Sequence, residues 1–194
     1  MTLTDPFEHS WNLIRVTRTG ALAEVTIARE EARNALSTEL IAELTEVARL
    51  LRMRTDVQAV ILTGAATFFS AGADLRERTK PLDSDGLLEA RRNVMGGPEM
   101  CRAWAEIEAV TIAAVEGFCI GGGCALATSC DFRVLGRSAT LRLPEVPLGM
   151  NMSWRVLPRL VAMMGPGRAK RFVMFGEALG ADDSLDWGLA DEVV

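Results

Sequence analysis

The chain contains no tyrosine and only one histidine among its 194 residues. Both side chains are common donors and acceptors of protons in enzymes, so their scarcity narrows the available chemistry. The single histidine is His9, close to the N-terminus, and a Ser-His or Cys-His nucleophilic pair would have to be built around it. We therefore expect carboxylates to carry any acid–base chemistry, in preference to lysine or cysteine.

Several sequence signatures of bound groups are also missing. The four cysteines have no CxxC spacing, which argues against a metal site and favours free thiols that pack as small hydrophobic side chains. Neither GxxxxGK[ST] nor GxGxxG occurs, so the fingerprints of nucleoside-triphosphate and dinucleotide binding are absent. The cysteines are Cys101, Cys119, Cys124 and Cys130.

Long apolar runs and positive charge are scarce too. No run is long enough to cross a bilayer, and "MTLTDPFEHS" lacks the basic start and apolar stretch of a signal peptide. The net charge of −5, from 21 basic and 26 acidic side chains, argues against a general nucleic-acid or anionic-membrane surface. We therefore expect a cytoplasmic protein that binds neither nucleic acid nor membrane.

The hydrophobic pattern of the first half alternates between strand and helix. Hydrophobic residues make up 49% of the chain, which suits one domain over residues 1–194. Two β-rich runs flank Gly20 and predict a hairpin, and Ser37 is a good N-cap for a helix with one apolar face. The runs "VQAVILTG" and "TIAAVEG" predict strands buried on both faces.

Between these two strands, "KPLDSDG" predicts a loop and "VMGGPEM" predicts an interruption of a helix. Further on, "CALATSC" is compatible with a helix, "DFRVLG" predicts a short strand, and helical patterns dominate from Ser153. Alternating strands and helices favour an α/β fold.

Glycine-containing turns follow both predicted buried strands. They are "FFSAGADL" at 68–75 and "GFCIGGGCAL" at 117–126. Glycine lets a ligand approach the main chain closely, and the first amides of a helix have no partners within the helix, so such a turn can bind an oxyanion. Taken singly, each turn is explained equally well as a tight strand-to-helix crossover.

The combination of motifs is more specific. "RNALS" (33–37), "FFSAGADLRE" (68–77), "AAVEGFCIGGGCALATSCDFRV" (113–134) and "LPEVPLGM" (143–150) resemble, in this order and spacing, the enoyl-CoA hydratase/isomerase family, or crotonase superfamily. The resemblance runs from about Ile14 to Val194. It implies a spiral of ββα repeats that binds an acyl-CoA thioester in a crevice, with coenzyme A as part of the substrate and no separate cofactor.

The resemblance also implies an oxyanion hole made of two backbone amides, the N–H of Ala73 and the N–H of Gly122. Asp74 is expected to be structural or to frame the CoA pocket, and Arg33 and Arg76 either meet CoA phosphates or stay solvated. Trp104 and Met95 line the acyl tunnel or belong to the core. The substrate-binding residues implied are Arg33, Ala35, Ala71, Asp74, Leu75, Gly121, Pro144 and Gly149.

The chain departs from the hydratases of this family in its acids. Similar hydratases carry two glutamates, and this chain has Ala125 at the first position and Glu145 at the second. Without the resemblance, Glu145 would be taken for a surface acid in a turn. With it, one carboxylate beside an oxyanion hole is enough to move a proton along an enolate, which is double-bond isomerisation. The apolar neighbours Val146, Leu148 and Met150 would make that base more effective.

Three functions therefore remain open from the sequence. The leading one is conversion of 3-enoyl-CoA to 2-enoyl-CoA, with hydration as the closest alternative. Thioester hydrolysis or decarboxylation would use the same Glu145, and a catalytically weak acyl-CoA-binding protein is the third. Relatives usually continue beyond a "GLADEVV"-like segment into helices that build a trimer, so we expect these helices to be absent here, and a homo-oligomer (trimer or hexamer) if they are present.

Overall fold

The computed structural model describes residues 5–77 and 86–194, which form two sheets with helices packed against them. The elements in chain order are β1 (Ile14–Thr19), β2 (Leu22–Ile27), α1 (Thr38–Arg52), β3 (Ala59–Thr63), β4 (Phe68–Ser70), α2 (Leu87–Ala105), β5 (Val110–Val115), β6 (Phe118–Ile120), α3 (Gly122–Ala127), β7 (Phe132–Leu135), β8 (Thr140–Arg142), α4 (Val156–Phe175), β9 (Ala178–Gly180), α5 (Ala181–Asp186) and β10 (Glu192–Val193).

The larger sheet has the strand order β1-β2-β3-β5-β7-β10. Strands β1 and β2 pair antiparallel, as expected for a hairpin around Gly20, and all the other pairs are parallel. Parallel neighbours need crossover connections, which explains why helices separate these strands in the sequence. The predicted burial on both faces holds only in part, because residues of β3 alternate between buried and half-buried.

The smaller sheet has the order β4-β6-β8-β9. Its first three strands are parallel, and each follows a strand of the larger sheet: β4 follows β3, β6 follows β5 and β8 follows β7. A helix comes next in each case, so the chain repeats a ββα unit three times. This arrangement confirms the predicted crotonase-like α/β fold, and it brings the carboxyl ends of β4, β6 and β8 to one edge.

Helices α1 and α2 show where local sequence rules held and where they failed. The predicted cap is confirmed, since the N–H of Leu40 donates to Ser37 Oγ at 3.2 Å. The predicted interruption of α2 was wrong, because the helix continues through Pro98. A proline removes one helical hydrogen bond, and burial of Met100 and Trp104 farther along α2 favours keeping the helix intact.

The loop prediction at "KPLDSDG" concerns residues 80–86, of which 80–85 lie outside the described residues. Helix α4 contains a kink at Gly165, whose φ of 74° and ψ of 164° are not helical, and Pro166 begins its second half. Among the helices in the described parts of the chain, none has the length and apolar character needed to cross a membrane.

Candidate active site

The first glycine turn, residues 71–74, follows β4 and runs beside the segment that precedes α1. The N–H of Leu36 donates to the carbonyl of Gly72 at 2.8 Å, and the N–H of Asp74 donates to the carbonyl of Leu36 at 3.1 Å. These two hydrogen bonds form a parallel bridge between Leu36 and Ala73, in which the N–H of Ala73 does not take part. Among residues 5–77 and 86–194, no atom accepts a hydrogen bond from the Ala73 N–H.

Two buried polar side chains hold this turn in place. Ser70 Oγ donates to the carbonyl of Asn34 at 2.7 Å and accepts from the N–H of Gly72 at 3.1 Å. The Asn34 amide donates to the carbonyls of Ile27 and Phe69, at 3.2 and 3.1 Å. Asn34 is fully buried and has a φ of 54°, a conformation that asparagine tolerates better than most residues. The "RNALS" segment therefore serves as the support of the turn.

An ion pair closes the far side of the same turn. Arg29 Nη1 donates to Asp74 Oδ2 and to the carbonyl of Ala35, both at 2.7 Å. Asp74 is only 7% exposed, and its Oδ1 accepts from the N–H of Arg76 at 3.0 Å. The hydrogen bond from Arg29 lowers the pKa of Asp74 below its ordinary value. The ionised carboxylate therefore binds Arg29 and the N–H of Arg76.

The second glycine turn joins β6 to α3 at Gly121. Its φ of 54° and ψ of −117° suit glycine, and its N–H donates to the carbonyl of Arg142 at 2.8 Å. Helix α3 starts at Gly122, and no side chain caps it. Within the part of the chain that the structure describes, the N–H of Gly122 has no acceptor. This is the second amide that the family resemblance implies for the oxyanion hole.

The two turns are in direct contact. A Cβ placed on Gly72 would lie 2.7 Å from the carbonyl oxygen of Ile120 and 3.4 Å from the nitrogen of Gly122. No real side chain fits at the shorter distance, so Gly72 is required for the approach of the two backbones. The fold therefore brings the amide of Gly122 to the residue that immediately precedes Ala73.

Glu145 reaches the same place from the turn after β8. A Cβ on Gly121 would lie 2.5 Å from Glu145 Oε1, so the carboxylate lies against the bare α-carbon of that glycine. The backbone carbonyl of Glu145 accepts from the N–H of Met150 at 2.8 Å, which closes the turn. The expected apolar surroundings were wrong in part, because Val146 and Leu148 are 40% and 61% exposed.

Ala125 occupies the position where the resemblance places an additional acid. It is fully buried in α3, and its carbonyl accepts from the hydroxyls of Thr128 and Ser129, at 3.0 and 2.9 Å. Its N–H donates to the carbonyl of Gly121 at 3.0 Å. The methyl group offers no proton acceptor, and Glu145 is the carboxylate that touches the second turn.

The other predicted substrate-binding residues lie at varied depths around these turns. The carbonyl of Arg33 accepts from the N–H of Ala71 at 3.0 Å, while the Arg33 side chain is exposed. Leu75 is 58% exposed and Gly149 is exposed as well. Ala35 and Pro144 are half-buried. The structure thus joins Arg33 and Ala71 through the backbone.

Trp154 is a residue of the site that the sequence did not predict. Trp104 belongs to the core rather than to an accessible tunnel, since it is fully buried and its Nε1 donates to the carbonyl of Leu44 at 3.0 Å. Instead, the ring of Trp154 lies against Gly122. The "NMSWRV" stretch carries no glycine or charge pattern that would have pointed to it. Only the contact across elements identifies it.

The four cysteines take no part in this arrangement as nucleophiles. All are buried free thiols, as expected, and burial raises the pKa of Cys101 to about 11 and that of Cys130 to about 12. Burial also raises the pKa of Cys119. A thiol that stays protonated at neutral pH is a poor nucleophile.

Known proteins with related sequences share this architecture. Residues 17–194 match the family described as enoyl-CoA hydratase/isomerase. A short-chain-enoyl-CoA hydratase of Clostridium acetobutylicum is 36% identical over 184 residues, which are 94% of this chain and 69% of that protein. A crotonyl-CoA hydratase of Syntrophomonas wolfei is 34% identical over 174 residues, 89% of this chain and 65% of that protein.

The agreement extends to three dimensions. The crystal structure of an enoyl-CoA hydratase from Bacillus anthracis superposes with a TM-score of 0.87 at 31% identity, covering 94% of this chain and 70% of that one. The chain spans about two thirds of the length of the curated relatives named above. On the fold, the sequence match and the superposition together, the chain belongs to the enoyl-CoA hydratase/isomerase family.

Proposed function

We propose that this protein acts on acyl-CoA thioesters and shifts a double bond from the 3-position to the 2-position of the acyl group. The observation that carries the proposal is one carboxylate, Glu145, against the second of two touching turns, with alanine at position 125. Family membership supports the acyl-CoA substrate class. The reaction needs no group beyond the protein and the thioester.

The amides of Ala73 and Gly122 would hold the thioester oxygen. Negative charge develops on that oxygen when a proton leaves the adjacent carbon, and two amides that have no acceptor among residues 5–77 and 86–194 would stabilise it. Gly122 is also the first residue of α3, where the unpaired amides of a helix favour negative charge. Removing one such donor typically costs about 10²–10³ in rate.

Glu145 would carry the proton. Its carboxylate takes a proton from C2 of the 3-enoyl thioester, and the electron pair spreads over a dienolate that ends on the thioester oxygen. The resulting carboxylic acid returns the proton at C4, so the double bond lies between C2 and C3 and the carboxylate is regenerated. Such placed general acid–base catalysis is worth roughly 10²–10⁴-fold in rate.

Hydration is the second candidate, and the relatives favour it. The proteins of Clostridium acetobutylicum and Syntrophomonas wolfei are named as hydratases. Hydration of a 2-enoyl thioester requires a positioned water molecule in addition to proton transfer. Ala125 offers only a buried methyl group for that purpose, so we rank isomerisation first.

The test measures both reactions on one protein. Ultraviolet absorbance follows the gain of conjugated 2-enoyl-CoA from 3-enoyl-CoA and, separately, its loss on hydration. We expect isomerisation to exceed hydration, and Glu145→Gln to reduce it by about 10²–10⁴-fold. Glu177→Gln, which neutralises a half-buried acid paired with Arg171, is the matched control and should have no effect.

Faster hydration than isomerisation would instead assign the hydratase function. Tight binding of thioesters without any turnover would assign an acyl-CoA-binding role. The cytoplasmic location and the trimeric or hexameric assembly stay predictions.

A further inference from the structure

Trp154 lies in the bend that precedes α4, and its ring fills the space between two elements of the site. A Cβ on Gly97 of α2 would lie 2.5 Å from Cδ2 and 2.6 Å from Cζ2 of the indole. A Cβ on Gly122 would lie 2.6 Å from its Cη2. Real Cβ atoms do not approach this closely, so both glycines are required for the ring to occupy its position.

The two glycines therefore act as a slot for the indole. The five-membered and six-membered rings overlap the Cβ position of Gly97, and the outer edge of the six-membered ring overlaps that of Gly122. The ring is therefore in contact with the backbones of both α2 and the start of α3. Trp154 nevertheless remains half-buried, so part of it faces accessible space.

No other tryptophan has this position. Trp104 is in the core, and Trp11 lies beside His9 with 4.2 Å between ring centroids. Trp187 lies under the guanidinium groups of two exposed arginines of α4, with 5.6 and 5.5 Å from the guanidinium carbons to its ring centroid. Of the four tryptophans in the chain, Trp154 is the one in contact with the proposed oxyanion turn.

We propose that Trp154 sets the length of the acyl group, an inference that rests on the proposed function. A thioester oxygen bound to the Gly122 amide lies about 3 Å from that nitrogen. The first acyl carbons are one to three bonds from that oxygen, and the backbone of Gly122, which would bind the oxygen, is in contact with the indole. An acyl chain that extends toward α2 meets the ring within a few carbons, so short acyl groups fit and long ones are obstructed.

The test uses saturated acyl-CoAs, which bind without reacting. Isothermal titration calorimetry gives the affinity ratio of butanoyl-CoA to octanoyl-CoA for the wild type and for Trp154→Ala. We expect the wild type to favour butanoyl-CoA at least tenfold, and Trp154→Ala to reduce that ratio at least tenfold because the slot opens. Trp187→Ala removes an equally half-buried tryptophan that lies beside α4 and does not contact Gly97 or Gly122, and it should keep the wild-type ratio.

A smaller change guards against a folding defect. Trp154→Phe removes the fused ring while keeping an aromatic side chain, and it should reduce the ratio about threefold. A wild-type ratio in a folded Trp154→Ala or Trp154→Phe protein overturns the role of Trp154 while leaving the proposed function in place. Failure of the wild type to bind either acyl-CoA overturns the proposed function and, with it, this inference.

Discussion

The two glycine turns have the same proposed task but are held by different interactions. Hydrogen bonds from Asn34 and Ser70, and the pair of Arg29 with Asp74, hold the first turn. The second turn has one backbone hydrogen bond, from Gly121 to Arg142, and no side-chain cap, and other groups pack against its bare glycine backbone. A turn held by side-chain hydrogen bonds is destabilised when a partner is removed. A turn held by close packing is destabilised when an atom is added. The two turns should therefore respond to opposite kinds of substitution.

The largest loss of stability and activity is expected at Gly123, where the second turn packs against Ser70 of the first. A Cβ on Gly123 would lie 2.7 Å from Ser70 Cβ and 3.2 Å from the Ser70 carbonyl oxygen, so Gly123→Ala pushes both turns apart. We expect a loss of about 3 kcal/mol in the free energy of unfolding and a loss of roughly 10²-fold in turnover. Denaturant unfolding and the isomerase assay measure the two effects.

Gly167→Ala is the matched control for that variant. Gly167 is exposed, has no heavy atom near its Cβ position and lies in the second half of α4. Alanine there should leave activity unchanged and raise the unfolding free energy by up to about 1 kcal/mol. If Gly123→Ala and Gly167→Ala changed the unfolding free energy and the activity by the same amounts, packing against Gly123 would not be what holds the turns together.

Removing a polar support of the first turn comes next in size. Asn34→Ala leaves the buried carbonyls of Ile27 and Phe69 without its amide, and the N–H of Arg29 without its acceptor. We expect the free energy of unfolding to fall by about 2 kcal/mol, measured by urea denaturation. Asn12→Ala, at an exposed asparagine, should cost about 0.5 kcal/mol or less, and a similar cost for both would refute the polar account.

The Arg29–Asp74 pair should produce a pH-dependent effect. The folded pKa of Asp74 lies below its ordinary 3.8, so the unfolded chain binds a proton at higher pH than the folded one. The stabilisation is therefore complete above the unfolded pKa and is lost as the pH falls through the folded pKa. Asp74→Asn should lower the unfolding free energy by about 1 kcal/mol at pH 7.

That difference between wild type and Asp74→Asn should shrink as the pH falls below about 4, because the wild-type carboxylate then becomes protonated as well. Urea titrations at a series of pH values measure it. A difference that stays constant down to pH 2 would mean that the charge of Asp74 does not stabilise the turn.

The smallest effect is expected at the exposed side chain beside the first turn. Arg33 supports the turn through its backbone carbonyl, so Arg33→Ala should change the unfolding free energy by less than about 0.5 kcal/mol. If its guanidinium meets a CoA phosphate, KM should rise several-fold while kcat stays unchanged. Arg49→Ala, at an exposed arginine of α1, is the control. An unchanged KM would remove Arg33 from the CoA-binding residues.

Much of this comparison could be foreseen from local sequence. The hairpin and the cap at Ser37 were predicted correctly, because capping and periodic burial depend on neighbouring residues. The glycine turns were predicted correctly only in part, because the segments 68–75 and 117–126 also contain the short strands β4 and β6. The interruption of α2 was predicted wrongly, since a local signal at Pro98 was overridden by the packing of the helix. The exposure of Leu148 also differed, because burial depends on what the rest of the fold places opposite.

The amino-acid sequence by itself determined the α/β class, the family, the two glycine turns and the presence of one acid at Glu145 with alanine at 125. The class follows from periodicity, the turns from backbone freedom, and the family from the resemblance of the four motifs in their order and spacing. Only the tertiary structure decided that Asn34 and Arg29 hold the first turn, and that Trp154 fills the slot between Gly97 and Gly122. Such contacts join residues far apart in the chain, and their geometry depends on how the ββα repeats stack.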